Sequence, residues 1–291
     1  MPALSLVIVL LSAVLHPSWN LLLKGAVNQE IFTWWMRVAA SVIALPAAAY
    51  LLWNSESFLS VAWLLMARIA VDAAYFLFLG RSYARTDLSL AYPIVRGTGP
   101  ALVPIVGIVV FGEVVTAQAA LGIAAIVGGI FVTYWWGQFR RILSDPLQFL
   151  KQPGTRFALL TGLAVTVALS LDKEIVDHVS PFLYLYILTI GGAAAYTPYV
   201  VRLFGRPAIG VEWRTSGAKA ALAGLMYFGA YGAILTALQV TRISYLVPAR
   251  EVGIVVGVLL GVIVLKERFG RGRIVGSLLI VAGLVLIASA G

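Results

Sequence analysis

In the stretch AYPIVRGTGPALVP, residues 91–104, Arg96 stands among prolines inside a long apolar run. The arrangement returns in YLVPAREVGIVVG from Tyr245 onward, where Arg250 follows Pro248 and precedes Glu251. An ionisable side chain at membrane depth is costly and faces a cavity or a partner. A guanidinium keeps its charge and can hold a carboxylate or phosphate through two parallel hydrogen bonds. Each nearby proline removes a backbone donor, which bends the helix and turns carbonyls toward a polar interior. Snorkelling to an interface is the competing use of both arginines, more so for Arg96, which lies closer to a helix end.

Further polar groups lie inside apolar runs. Arg68 and Asp72 are spaced i, i+4, so they share a helix face and can pair, and Tyr75 continues that face. Tyr227 and Tyr231 repeat the same spacing later in the chain. The early HPSWN places His16, Trp19 and Asn20 around a proline, and Tyr92 precedes Arg96. His16 and Asp72 are the two groups able to carry a proton. Glu251 can neutralise Arg250 locally, although adjacent helical residues point about 100° apart. Counting Arg37, the spans hold four arginines against two carboxylates, an excess that suits an anionic group and disfavours cations.

The elements that must position these residues are membrane helices. The chain is 61% hydrophobic and 11% charged with mean hydropathy +0.97, too few polar residues for the surface of a soluble protein of 291 residues. Apolar runs give ten segments, at 3–24, 31–53, 58–80, 88–111, 117–136, 156–176, 181–203, 217–238, 243–265 and 272–289. The polar stretch between Gly137 and Arg156 separates five from five and suits a short amphipathic piece at the interface. The expected organisation is a first repeat over 1–136, a connecting loop over 137–155 and a second repeat over 156–291. The N-terminal run lacks a basic leader and a small-residue cleavage site, so it is expected to be the first span.

The two halves share charged residues and prolines in order. An offset of 155 residues places Thr86 on Thr241, Ser89 on Ser244 and Pro93 on Pro248. An offset of 154 then places Arg96 on Arg250, Glu113 on Glu267, Gly122 on Gly276 and Gly129 on Gly283, while Lys24 corresponds to Lys173. Five helices per repeat force opposite orientations, so the repeat is inverted about an axis in the membrane plane. Loops after odd-numbered helices carry fifteen Lys and Arg, and the other side carries two, Lys173 and Arg242. The positive-inside rule then places both termini on the non-cytoplasmic side. The same loops account for the net charge of +9 without nucleic acid.

These paired features resemble the drug/metabolite transporter superfamily, in its ten-helix EamA-type branch, over essentially the whole chain. The resemblance rests on the duplicated proline-bearing helix ending in VVFGEVV and VVGVLLGVIVLKERFG, each followed by a glycine-spaced helix, LGIAAIVGGIFV and VGSLLIVAGLVLIA. HPSWNLLLKG is similar to the family's first helix and WWMRVAA to its second-helix arginine. It implies alternating-access movement of small metabolites, often export of amino acids or related compounds. The second half has Tyr186 and Ile187 where Arg37 would find its counterpart, so no symmetric role follows for Arg37.

No H-E-x-x-H, G-x-S-x-G, Walker lysine or cysteine is present, which argues against an intramembrane enzyme. The expectation is an all-α polytopic inner-membrane carrier, sufficient as a monomer, without cofactor or metal. Its expected substrate is a small amino-acid-like metabolite, aromatic or bulky, with other anionic metabolites or drugs as the alternative. His16, Trp19, Asn20, Arg68, Asp72, Tyr75, Tyr92, Arg96, Tyr227, Tyr231, Arg250 and Glu251 are the candidate binding residues. Lipid surrounds the carrier, and protons are a candidate coupling partner.

Overall fold

A computed structural model describes residues 1–54, 59–86, 88–139, 144, 151–264 and 270–290. Its helices are α1 (Ala3–Lys24), α2 (Gln29–Asn54), α3 (Ala62–Tyr83), α4 (Leu88–Val109), α5 (Ala117–Trp135), α6 (Pro153–Val176), α7 (Pro181–Val240), α8 (Ile243–Arg250), α9 (Gly253–Ile263) and α10 (Arg271–Ser289). Among the described residues, nine helical stretches are long and apolar enough to cross a membrane. The protein is therefore an all-helical, multi-pass membrane protein.

Two sequence expectations need correction. The seventh and eighth helices are not separated by a loop over 204–216. Helix α7 runs for 60 residues and turns back only at Gly205, whose φ of 73° and ψ of 161° are open to glycine. Phe182 and Phe228 then meet with ring centroids 5.1 Å apart, so the two limbs pack antiparallel and cross twice. Residues 206–216 stay helical because their side chains find partners. Glu212 accepts from the Asn28 amide at 2.8 Å, and Trp213 packs on Trp35 with centroids 4.5 Å apart.

The ninth helix, expected to run unbroken over 243–265, instead breaks between α8 and α9 at Glu251 and Val252. There the backbone tightens to three-residue hydrogen bonds, Glu251 to the Pro248 carbonyl (3.0 Å) and Val252 to that of Ala249 (3.2 Å). Pro248 lacks the amide that would have tied this turn to the one before. The break presents Arg250 and Glu251 at the end of a helix rather than along its side.

Antiparallel packing of α5 on α10 fixes the two halves together. A Cβ on Gly122 would sit 2.7 Å from the Gly283 carbonyl oxygen, and one on Gly129 would sit 2.7 Å from that of Gly276. The repeat offset exchanges Gly122 with Gly276 and Gly129 with Gly283, so it maps this interface onto itself. The same operation relates the α3–α6 contact to that between α1 and the second limb of α7, and α4–α6 to α1–α9. An operation that reverses helix direction is an inverted repeat. Gly253 and Gly257 face Ala13 and Pro17 of α1, a packing use of that glycine spacing.

The VVFGEVV motif has a local explanation. Gly112 takes φ +64°, which turns the chain after α4. Glu113 then reaches the start of α8, accepting from the amides of Ile243 (2.7 Å) and Ser244 (3.0 Å) and from the Ser244 hydroxyl. A carboxylate there satisfies orphan amides and meets the positive end of the helix dipole. Glu267, its repeat counterpart, lies outside the described residues, as do Arg140, Arg141, Lys266, Arg268 and most of the connecting segment. Glu113→Ala is expected to cost about 2–3 kcal/mol of stability, read as a lowered unfolding temperature in detergent, with Glu113→Gln losing less.

Candidate functional site

A cavity of about 770 Å³ opens between the halves and is lined by all twelve candidate residues. From α1 come His16, Trp19 and Asn20, from α3 Arg68, Asp72 and Tyr75, and from α4 Tyr92 and Arg96. The second limb of α7 adds Tyr227 and Tyr231, and the broken ninth span adds Arg250 and Glu251. The cavity also reaches Lys24, Tyr83 and Arg273, three residues at helix ends on the same side of the molecule. Pro17 and Pro100 stand in the wall as well, where each leaves a carbonyl one turn earlier without its helical amide.

Aromatic rings form one wall. His16 meets Trp19 edge-on at 5.2 Å, Trp19 meets Tyr227 at 5.9 Å, and Tyr227 stacks on Tyr231 at 6.3 Å. Tyr92 stands edge-on to Tyr134 at 5.0 Å on another side. These contacts hold the rings in fixed poses, with apolar faces beside polar tips.

The charges are organised more specifically than the sequence suggests. Arg68 bonds Asp72 at 2.5 Å, the expected pair, but its Nε also donates to Asp172 at 2.7 Å. Asp172 is 0% exposed and also accepts from the hydroxyls of Tyr184 and Tyr231, while the Asp72 side chain is 40% exposed. Neither Asp172 nor Tyr184 is among the residues that sequence reasoning selects. Asp172 adjoins Lys173 near a helix end, where a charged pair reads as interfacial. It heads the charged run Asp172-Lys173-Glu174, so the sequence carries no signal that separates it from an interfacial acid. The inventory becomes four guanidiniums against three carboxylates, so the positive excess is smaller than the sequence count.

Glu251 does not pair with its neighbour Arg250. Its carboxylate lies 3.4 Å from Arg96 Nη2, joining the two proline-arginine motifs across the halves. Arg96 faces this cavity rather than the interface, which removes the snorkelling reading for it. Arg250 and Arg37 form no salt bridge among the described residues, and Arg250 Nη1 is buried without a hydrogen-bond partner there. Trp19 Nε1 and Arg96 Nε are likewise buried donors without an acceptor. Arg37 reaches the cavity over Gly192, where an added Cβ would lie 2.1 Å from its Nη1. Among the described residues no cluster of His, Cys, Asp and Glu could hold a metal ion.

Comparison with known proteins gives a consistent set of matches. Residues 152–289 match the EamA-like transporter family, and residues 32–126 match the Small Multidrug Resistance protein family. Multidrug resistance protein EbrB of Bacillus atrophaeus is 33% identical over 95 residues, which are 33% of this chain and 80% of that protein. EbrB of Bacillus subtilis (strain 168) is 32% identical over the same shares. The fold also superposes on a crystal structure at 17% identity with a TM-score of 0.72, over 99% of this chain and 97% of that one.

Proposed function

Because the chain belongs to the drug/metabolite transporter superfamily and is a small-molecule transporter rather than an enzyme, we propose that it exports small organic metabolites bearing a carboxylate, amino-acid-like ones foremost. The observation that carries this reading is Arg250, a guanidinium at the lip of a broken helix whose buried Nη1 has no hydrogen-bond partner among the described residues, beside an aromatic wall. Arg250 and Arg37 supply charge for the carboxylate, and Asp72, the more exposed of the acids, supplies a site for an ammonium group. Trp19, Tyr227 and Tyr231 offer ring faces to a bulky or aromatic side chain. The carrier sits in the inner membrane with both termini outside the cytoplasm, and one chain encloses the pathway.

Uptake of a labelled amino-acid panel into proteoliposomes, with and without a pH gradient, tests this. Saturable uptake supports the substrate class, and dependence on the gradient separates proton coupling from facilitated movement. Arg250→Ala is expected to raise the half-saturating concentration about 10- to 100-fold, the loss of one charge-assisted contact, without lowering thermal stability. An unchanged uptake curve in that variant removes Arg250 from binding. The similarity of residues 32–126 to multidrug resistance proteins favours a second reading, movement of lipophilic drugs, and a cationic dye in the same liposomes decides between them.

A further inference from the structure

The contacts divide the cavity's walls into two groups. Helices α3 and α6 stay together along their length, through Arg68–Asp172 near one end and Ser82 Oγ to the Gly154 carbonyl (2.9 Å) near the other. Helix α1 and the second limb of α7 do the same, through Ser5 and Thr241 at one end, Ser12 Oγ to the Ala230 carbonyl (2.8 Å) and an apolar cluster at the other. Between the two groups lies the cavity, reaching outward past Lys24, Tyr83 and Arg273.

On the opposite side the groups are tied. Tyr231 of the second limb of α7, and Tyr184 of the first limb, which packs on the second through Phe182 and Phe228, both donate to Asp172 of α6, and Arg68 Nη2 lies 3.3 Å from the Tyr231 hydroxyl. Lys173 Nζ donates to the Leu238 carbonyl and Gln239 Nε2 to the Val176 carbonyl, each at 2.8 Å. The first and sixth helices correspond at an offset of 149, as Lys24 to Lys173, and the third and eighth at 155. Asp172 therefore answers to Leu23, Arg68 to Ala223 and Tyr231 to Phe76. Leu23 and Ala223 belong to the apolar cluster with Phe32 and Met36. An acid, a guanidinium and a hydroxyl on one side thus have no polar counterparts on the other.

We infer that Asp172, held by Arg68 and bonded by Tyr184 and Tyr231, is a one-sided latch that biases the empty carrier toward the state open past Lys24 and Arg273. Opening the latched side separates two hydroxyls from a buried carboxylate, which then keeps only its guanidinium. At the corresponding positions of the other side the sequence has Leu23, Ala223 and Phe76, which supply no carboxylate, guanidinium or hydroxyl for such a set. An inverted repeat relates the two faces by one operation, so a set of bonds present at one face and lacking at its counterpart biases which way the cavity rests. The inference rests on the carrier assignment and not on the substrate, and its test needs no substrate.

The chain has no cysteine, so a single introduced thiol reports access. Val165→Cys places one on the cavity wall, for labelling by a membrane-impermeant maleimide added to either side of oriented vesicles. With the latch intact, labelling is expected from the Lys24 side. In Tyr184→Phe/Tyr231→Phe, which keeps both rings, the rate from the side bearing the termini is expected to rise about tenfold, the population shift from losing two such bonds. An unchanged or lower rate from that side overturns the latch. If the double variant does not fold, Tyr231→Phe alone is judged by the same criterion with a smaller rise. Failure of amino-acid uptake leaves this result standing, so the two readings fail separately.

Discussion

Asp172→Ala is expected to cost about 3–5 kcal/mol of stability, while Asp72→Ala costs about 1 kcal/mol or less. Both carboxylates bond Arg68, but their surroundings differ. Asp172 is fully buried and accepts from three donors on α3 and α7, so its removal leaves a buried guanidinium and two hydroxyls short of an acceptor. The Asp72 side chain is 40% exposed and lies one turn from Arg68 on the same helix, where solvent in the cavity replaces much of the contact. Thermal unfolding of the two variants in the same detergent measures the difference. Equal costs would mean that Arg68 draws its stability from the local pair, and the contact across helices would lose its importance. Arg68→Met combined with Asp172→Leu is expected to recover part of the stability, since a matched apolar pair removes both desolvated charges but leaves the Tyr184 and Tyr231 hydroxyls without their acceptor.

Gly276→Ala is expected to destabilise the protein by about 3 kcal/mol or more, although only one methyl is added. A Cβ there would stand 2.0 Å from Thr133 Oγ1 and 2.6 Å from the Gly129 carbonyl oxygen, and a backbone carbonyl cannot swing aside. Helix α10 must then move off α5, and the Gly122–Gly283 contact opens with it. Gly128→Ala, one residue from Gly129 on α5, meets nothing within 4 Å and is expected to be neutral or stabilising by up to about 1 kcal/mol, the propensity gain of alanine in a helix. Comparing the unfolding temperatures of the two variants separates a close helix crossing from a general intolerance of α5 and α10. Comparable losses in both would argue against the crossing as the point where the halves are joined.

Features carried by spacing along one helix are legible in the sequence alone. Arg68 and Asp72 at i, i+4 pair as their periodicity requires, and the twelve polar and aromatic residues placed inside the spans do line one cavity. Their shared location follows from cost, because a polar group at membrane depth has few places to go other than a common interior. The ordered match of Pro93, Arg96 and Glu113 with Pro248, Arg250 and Glu267 is enough to give an inverted architecture, since five helices per repeat leave no other orientation. Glycine at 122, 129, 276 and 283 signals close packing without naming the partner helix.

What spacing does not carry is the identity of contacts between distant segments. Arg68 and Asp172 are 104 residues apart, and no periodicity within α6 distinguishes a buried acid from an interfacial one beside Lys173. Glu251 stands next to Arg250 in the chain yet pairs with Arg96, because consecutive side chains diverge while α4 and α8 pack together. The break after Arg250 depends on whether neighbouring helices can receive the freed backbone, so Pro248 alone does not locate it. By itself the sequence determined a multi-pass, all-helical carrier built on an inverted repeat with polar groups in its interior, since the bilayer penalises polar groups wherever they lie. The tertiary structure alone decided which charges are spent on one another, leaving Arg250 and Arg37 without a carboxylate among the described residues, because that depends on distances across the interface between the halves.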